Sequence, residues 1–278
     1  MKKIYILLAV YCISSIAVNA QSKSTLISEN INGKVKTLTQ TVYVGVLKNG
    51  NPEKGSVLNT ETYKYDENGN IAELNYCNAD SSVRTRTTYK YNEQGHLIEM
   101  IKFNTEGEIK SKEIHTYDTK ENRTESNFYK GDNTLSYTLK YMYDAKTNII
   151  EQAEYNSENK LKYKLKLKYD LENNIIEKLK QKPEGITEKK QTYKYDTKSN
   201  MIEYNSFAAD GKLSLKEVYK YDDKNRKTEQ VNYSATGVVE VKENTRYEED
   251  ATGNWIKRSV FENDRPTKIS ERVILYYK

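Results

Sequence analysis

The chain is poor in the residues from which active sites are usually assembled. Its 278 residues include two His, two Cys, one Trp and three Pro. Two His and two Cys leave little for His-based catalysis, a zinc site or a disulfide framework. Three Pro and twelve Gly exclude a collagen and argue against a Pro/Gly-rich disordered chain. No stretch approaches the ~18 to 20 apolar residues of a membrane helix, and beyond residue 20 no apolar stripe keeps helical spacing. Charge is nearly balanced, 45 basic against 40 acidic side chains, which does not point to nucleic acid. What is abundant is Tyr, with 25 residues against four Phe. A core built from such rings carries hydroxyls, and each buried hydroxyl needs a partner.

Residues 1–20 read as an address. Lys2 and Lys3 precede a short apolar run, Ile4 to Ile13, and small residues end in Val18-Asn19-Ala20. That is a secretory signal peptide, with cleavage expected after Ala20. Tyr11 stands where a lipobox needs a small residue before Cys12, so a lipoprotein is not expected. Cleavage takes away two Lys and Cys12, leaving 43 basic against 40 acidic side chains and Cys77 as a lone thiol. The expected location is the periplasm, the cell surface or the medium, with no membrane span.

A repeat organises the rest. Tyr65, Tyr91, Tyr117, Tyr143, Tyr169, Tyr195, Tyr221 and Tyr247 recur every 26 residues. Asp follows the Tyr at 66, 118, 144, 170, 196 and 222. Glu recurs eight places after it, at Glu73, Glu99, Glu125, Glu151, Glu177, Glu203 and Glu229. The segment from Leu161 to Tyr169 alternates strictly, apolar on one side and four Lys on the other, as a strand with one wet face does. Asp with Gly or Asn at the ends makes tight turns. Each repeat therefore reads as a β-hairpin. The expected fold is all-β: an antiparallel meander of about eight 26-residue hairpins, coiled into an elongated twisted or spiral sheet, Tyr-rich inside and Lys-rich outside. Open sheets seldom exceed ~10 strands without curling; a flat single-layer sheet is the competitor. Residues 21–62 should provide a capping segment and the first strands. Residues 63–278 should form the repeat domain, closed by an atypical unit at 247–278 that carries Trp255.

Tyr-x-Tyr-Asp, a Gly/Asn turn, a strand and a second turn resemble the YD-repeat, or RHS-like, proteins of bacteria. The resemblance runs from about Tyr63 to Lys278, including Asp250-Ala-Thr-Gly-Asn-Trp255 and Arg272-Val-Ile-Leu-Tyr276. It implies a secreted β-repeat protein of binding or structural type. In large members of that group such sheets spiral into a shell around a toxin, and others are associated with carbohydrate binding. This chain is short for a shell, and no appended effector domain is expected.

Candidate chemistry is thin. The seven Glu are too regular for one active site and read as structural acceptors for neighbouring Tyr hydroxyls or Lys in a half-polar, Tyr-rich interior. An enzyme would be a carbohydrate-active one using a pair of them. His96 and His115 fill repeat slots, with no Ser or Cys placed beside them by a nucleophile motif. Asp66, Asn68 and Asn70 open like a calcium loop, but Cys77 stands where the final bidentate Glu belongs. No metal and no cofactor are expected. The outer face offers two basic rows, including Lys64, Lys90, Lys168, Lys194 and Lys220 in one and Lys164, Lys190 and Lys216 in the other. Exposed Lys usually serves solubility and edge protection. Two ladders in register could also grip a charged polymer. The function expected is therefore non-enzymatic binding of a cell-surface glycan or an envelope protein; an enzyme or a pure scaffold are the alternatives.

Overall fold

A computed structural model describes residues 31–277, all of whose regular structure is β. The signal-peptide reading lies outside those residues. The strands run β1 (Val35–Lys48), β2 (Asn51–Tyr65), β3 (Ile71–Cys77), β4 (Val83–Tyr91), β5 (Leu97–Phe103) and β6 (Ile109–Tyr117). They continue as β7 (Arg123–Lys130), β8 (Leu135–Tyr143), β9 (Ile149–Asn156), β10 (Leu161–Tyr169), β11 (Ile175–Gln181) and β12 (Thr187–Tyr195). The last six are β13 (Met201–Phe207), β14 (Leu213–Tyr221), β15 (Lys227–Tyr233), β16 (Val239–Glu249), β17 (Trp255–Glu262) and β18 (Arg265–Tyr276).

Each strand pairs antiparallel with its sequence neighbours, and β1 also pairs with β18, from Val35↔Tyr276 to Val44↔Lys268. The 18-stranded sheet is therefore a closed barrel. This corrects the elongated twisted or spiral sheet expected from the repeat, and with it the open YD/RHS-type solenoid. The physical reason is that coiling has somewhere to end. A meander with an even number of strands brings its first and last strands together antiparallel, and closure removes both exposed edges. Around the seam, Asn32 N–H donates to Asn254 Oδ1 at 2.8 Å and Asn254 Nδ2 donates back to Asn32 O at 2.9 Å. Tyr277 Oη donates to the Tyr65 carbonyl at 2.6 Å.

Two local devices recur. After the long strands an Asp side chain, or Asn92 after β4, folds back on its turn: Asp66 Oδ1 accepts from Asn70 N–H at 2.8 Å, Asn92 Oδ1 from His96 N–H at 2.8 Å, and Asp144 Oδ1 from Asn148 N–H at 2.9 Å. From Tyr65 to Tyr221 the fourth residue after the repeat Tyr is left-handed, a conformation that Gly69 (φ 81°) adopts freely and Thr147 (φ 65°) adopts under strain. The second device is a register shift at the start of each short strand, for example Lys64↔Glu73 followed by Tyr65↔Ile71. The extra residue is a β-bulge, which sharpens twist. It also turns Ile71 to the same side as Tyr65 while Glu73 stays with Lys64.

The Tyr-bearing face is the enclosed one. Val35, Leu38, Tyr65 and Ile71 form a buried cluster there, with Tyr63, Tyr89 and Ile274 packed against it. Charged groups on that side are dominated by desolvation: burial raises the Glu113 carboxyl, lowers Lys178 and Lys227, and pushes His115 down to about 3. Eighteen strands at ~4.8 Å give a perimeter of about 86 Å, the size at which barrels retain an interior space beyond what side chains fill.

The repeat Tyr hydroxyls hold the bulges. Tyr91, Tyr117, Tyr143, Tyr169, Tyr195, Tyr221 and Tyr247 each donate to the carbonyl 20 residues earlier, at 2.7 to 3.0 Å. Those carbonyls, from Ile71 to Lys227, start the short strands. The ladder to the following long strand stops two residues away, as at Glu73↔Thr88. Each ring thus satisfies an acceptor that the sheet leaves over, and burial raises the Tyr143, Tyr169 and Tyr195 hydroxyls to about 12.

Two outcomes are expected. Tyr169→Phe removes one such bond and should lower stability by about 0.5–1.5 kcal/mol in urea unfolding; an unchanged midpoint would remove the capping role. Deleting Asp144–Tyr169, one whole repeat, should leave a 16-stranded barrel that still melts cooperatively. Deleting 13 residues leaves an odd strand count, so β1 and β18 would meet parallel and closure should fail. Equal melting of the two deletion proteins would contradict closure as the determinant.

Candidate functional site

Cross-strand pairing places the Glu row opposite the Lys rows, on the outer face. Lys168 faces Glu177 in β10–β11, and Lys194 faces Glu203 in β12–β13. The expectation that the Glu share the Tyr-rich interior fails at this point. The bulge between Ile71 and Glu73, repeated in every hairpin, breaks the simple alternation that would have put both on one side.

Glu177, Glu203 and Glu229 are each gripped from two strands. Lys168 and Lys190 each lie 2.8 Å from Glu177. Lys194 and Lys216 lie 2.8 and 3.1 Å from Glu203, and Lys220 and Lys242 lie 2.8 and 3.1 Å from Glu229. Earlier in the chain Lys64 reaches Glu73 at 2.7 Å, with Arg86 at 3.6 Å, and Lys164 reaches Glu151 at 2.7 Å. Lys90 stands opposite Glu99 in the register. Around β6 to β8 the ladder thins, because Thr116 and Met142 replace the first Lys. The two partners differ in exposure. Glu177, Glu203 and Glu229 side chains are 15–17% exposed, whereas Lys168, Lys194 and Lys220 are 68–69% exposed. The carboxylates are sheltered beneath the ammonium groups, which stay in water.

The second basic row also covers aromatic rings on this face. Arg86 lies over Phe103 at 4.1 Å, Lys112 over Tyr129 at 5.1 Å and Lys216 over Tyr233 at 5.9 Å. The outer belt is thus a three-row lattice of Lys, Glu and Lys or Arg, with rings beneath the last row. The sequence showed all three rows; their interleaving required the register.

The lattice sets the chemistry of the Glu. Hydrogen bonds from Lys168 and Lys190 hold the Glu177 carboxyl below its usual range. Lys194, Asn205 and Lys216 hold Glu203 down to about 2. Lys220 and Lys242 lower Glu229 in the same way. A glycosidase pair needs one carboxyl raised so that it can donate a proton. Glu177, Glu203 and Glu229, successive neighbours on the wall, are lowered and none is raised.

The two His are placed as follows. His96 stacks on Tyr117 with centroids 4.9 Å apart. His115 Nδ1 lies 2.8 Å from Ser126 Oγ, and Ser126 Oγ lies 3.2 Å from Tyr141 Oη. This Ser–His contact was invisible in sequence, since only the β6–β7 register brings the two together. Ser126 is wholly buried, so the pair fills the wall and offers no nucleophile to a substrate. Asp66 carries turn bonds from Asn70 on both carboxylate oxygens, at 2.8 and 3.1 Å. Among the described residues no His/Cys/Asp/Glu group has a metal-binding arrangement, and no helix is long and apolar enough to cross a membrane.

No family model matches the chain, and no curated protein matches it. Among solved structures, a porin-like protein from Bacteroides uniformis aligns with 92% of this chain and 100% of its own, at 9% identity and a TM-score of 0.48. A porin-like protein from Bacteroides vulgatus aligns with 88% of this chain and 99% of its own, at 10% identity and a TM-score of 0.33. The toxin assembly TcdB2-TccC3, without its hypervariable C-terminal region, aligns with 76% of this chain but 15% of its own, at 9% identity and a TM-score of 0.30. Likenesses of this size carry no argument about function, which rests on the site itself.

The Glu lattice makes a pH prediction. Glu203 has its folded pKa depressed to about 2 from 4.5, so it favours the folded state when ionised. That contribution is present above pH about 5 and is lost as pH falls towards 2. Glu203→Gln should therefore be less stable than the parent at pH 7, and the gap should close on acidification. A gap that stays constant between pH 7 and 2.5 in chemical denaturation would refute the assignment.

Proposed function

We propose that the protein is an exported, non-enzymatic binding protein whose ligand is an anionic polymer, an acidic glycan, lying along the outer belt. The observation that carries this reading is the two-to-one stoichiometry of the lattice. In the arc from β10 to β16, Glu177, Glu203 and Glu229 each sit between two Lys. Every repeat there leaves one cation uncompensated, spaced at ~9 to 10 Å by two interstrand steps. A polymer with regularly spaced carboxylates or sulfates meets a matching row of ammonium groups. The lowered Glu pKa values favour binding over hydrolysis, because none of those carboxyls is set to donate a proton. The same belt favours an aqueous setting for the barrel: a Lys facing hydrocarbon at mid-depth costs ~2–4 kcal/mol, and the belt carries such residues in most repeats.

The test uses the chain from Gln21 and two polymers, polygalacturonate and neutral dextran. Polygalacturonate should bind with an affinity that falls as salt rises, and dextran should not bind. Combining Lys168→Gln, Lys194→Gln and Lys220→Gln should weaken binding and flatten the salt dependence while the melting curve stays cooperative. The retained Lys190, Lys216 and Lys242 still neutralise each Glu. Equal affinity of the triple variant and the parent would sink the belt reading; release of saccharide fragments would restore the enzyme alternative.

A further inference from the structure

One stretch of the inner wall sets three lysines against a single carboxylate partner. Between β11 and β12, Lys178 pairs with Gln191 and Lys180 with Lys189, on the side of the sheet that carries Leu167 and Tyr193. Like charges directly opposite each other on one face repel, and a diagonal neighbour, as Lys189 is to Lys178, lies within reach of a long side chain. Lys180 is engaged: it lies 3.4 Å from Glu188 and 4.5 Å from the Tyr163 ring centroid. Lys178 rests over the Tyr193 ring at 5.5 Å. Among the described residues neither Lys178 nor Lys189 has an ion-pair partner. Burial lowers the Lys178 pKa, with no carboxylate to offset it. Lys189 is exposed and Lys178 half-buried, so a solute inside the barrel reaches both. The nearby acids are occupied. Glu154 of β9 accepts from the Tyr163 hydroxyl, and Glu217 of β14 accepts from Tyr219 Oη at 2.5 Å and Gln230 Nε2 at 3.4 Å. Glu113 of β6, Glu243 of β16 and Glu262 of β17 stand four or more strands away.

Two ammonium groups on adjacent strands, with no carboxylate between them, match an anion of charge two. An ammonium is a compact point charge with three donors, which suits the oxygens of a tetrahedral phosphate without the planar fork that arginine offers. We propose that Lys178 and Lys189 form an inner-wall binding site for a phosphate group, either inorganic phosphate or a phosphate monoester. The two lysines grip the oxygens from β11 and β12, and Lys180 adds a third positive charge beside them. A bound phosphate also relieves the repulsion between Lys180 and Lys189. The site goes beyond the outer belt and does not depend on it. Lys190, next in the chain to Lys189, points outward and holds Glu177, so the two sets of lysines lie on opposite faces of the wall.

The test is titration calorimetry on the chain from Gln21 at pH 8, with sodium chloride holding ionic strength constant. Inorganic phosphate and glucose 6-phosphate are titrated separately, and acetate serves as the singly charged control. Saturable phosphate binding is expected, with none for acetate. Lys178→Gln and Lys189→Gln should each weaken it by at least about tenfold, while the variant lacking the Lys168, Lys194 and Lys220 charges should bind as the parent does. Lys189 is exposed, so its variant serves if Lys178→Gln does not fold. In phosphate-free buffer Lys189→Gln should melt above the parent, because it removes the like charge opposite Lys180; saturating phosphate should raise the parent more than the variant. The stronger binder of the two phosphate compounds identifies the source, a monoester or the inorganic ion. No saturable signal above the chloride background would overturn the site. So would parental affinity in both the Lys178 and Lys189 variants, or acetate binding as tightly as phosphate. If the belt variant alone loses the signal, phosphate binds outside and the proposal fails.

Discussion

The β-bulge at the start of each short strand is the constraint from which the rest follows. It places Ile71 and its repeat equivalents inward beside the Tyr-x-Tyr rings, and it keeps Glu73 and its equivalents outward beside Lys. It leaves one carbonyl per repeat beyond the reach of the ladder, and the next repeat's Tyr hydroxyl takes it. The added twist curls the meander until its ends meet. One extra residue per hairpin thus sets the faces, employs the tyrosines and helps to bend the sheet.

A barrel with so little aliphatic core needs other sources of order. The inner wall is stabilised by rings whose hydroxyls are spent on backbone, and by neutral polar contacts such as His115 with Ser126. The outer wall is stabilised by cations that serve two neighbours at once, a carboxylate on one strand and a ring on another. Single exposed ion pairs contribute little, but here sheltered carboxylates are each held from both sides, and the arrangement repeats around the wall. The lattice also fixes the surface that faces a ligand, because it decides which charges are compensated and which remain.

The belt and the seam differ in origin. The belt is a property of the repeat and grows with each copy. The seam belongs to the ring as a whole: β17 supplies Trp255, β18 supplies the Arg272 that lies over it, and β1 supplies the Gln40 that accepts from Arg272. A repeat array with free ends would present the first and could not assemble the second.

How much the sequence alone determined follows the range of the interactions involved. Strand content, hairpin turns, the 26-residue unit and the rows of Tyr, Glu and Lys were legible because each depends on neighbours a few residues away. Asp66 with Asn70 and Leu161 to Tyr169 are local patterns of this kind. The side taken by Glu73 was not legible, since a bulge overrides alternation and leaves no mark in the alternation itself. Closure was not legible either. The segment from Val35 to Val44 shows only a trace of the repeat, and its partner is more than 200 residues away, at Lys268 to Tyr276. Only the accumulated twist of eighteen strands brings those two edges together, and with them Gln40, Arg272 and Trp255.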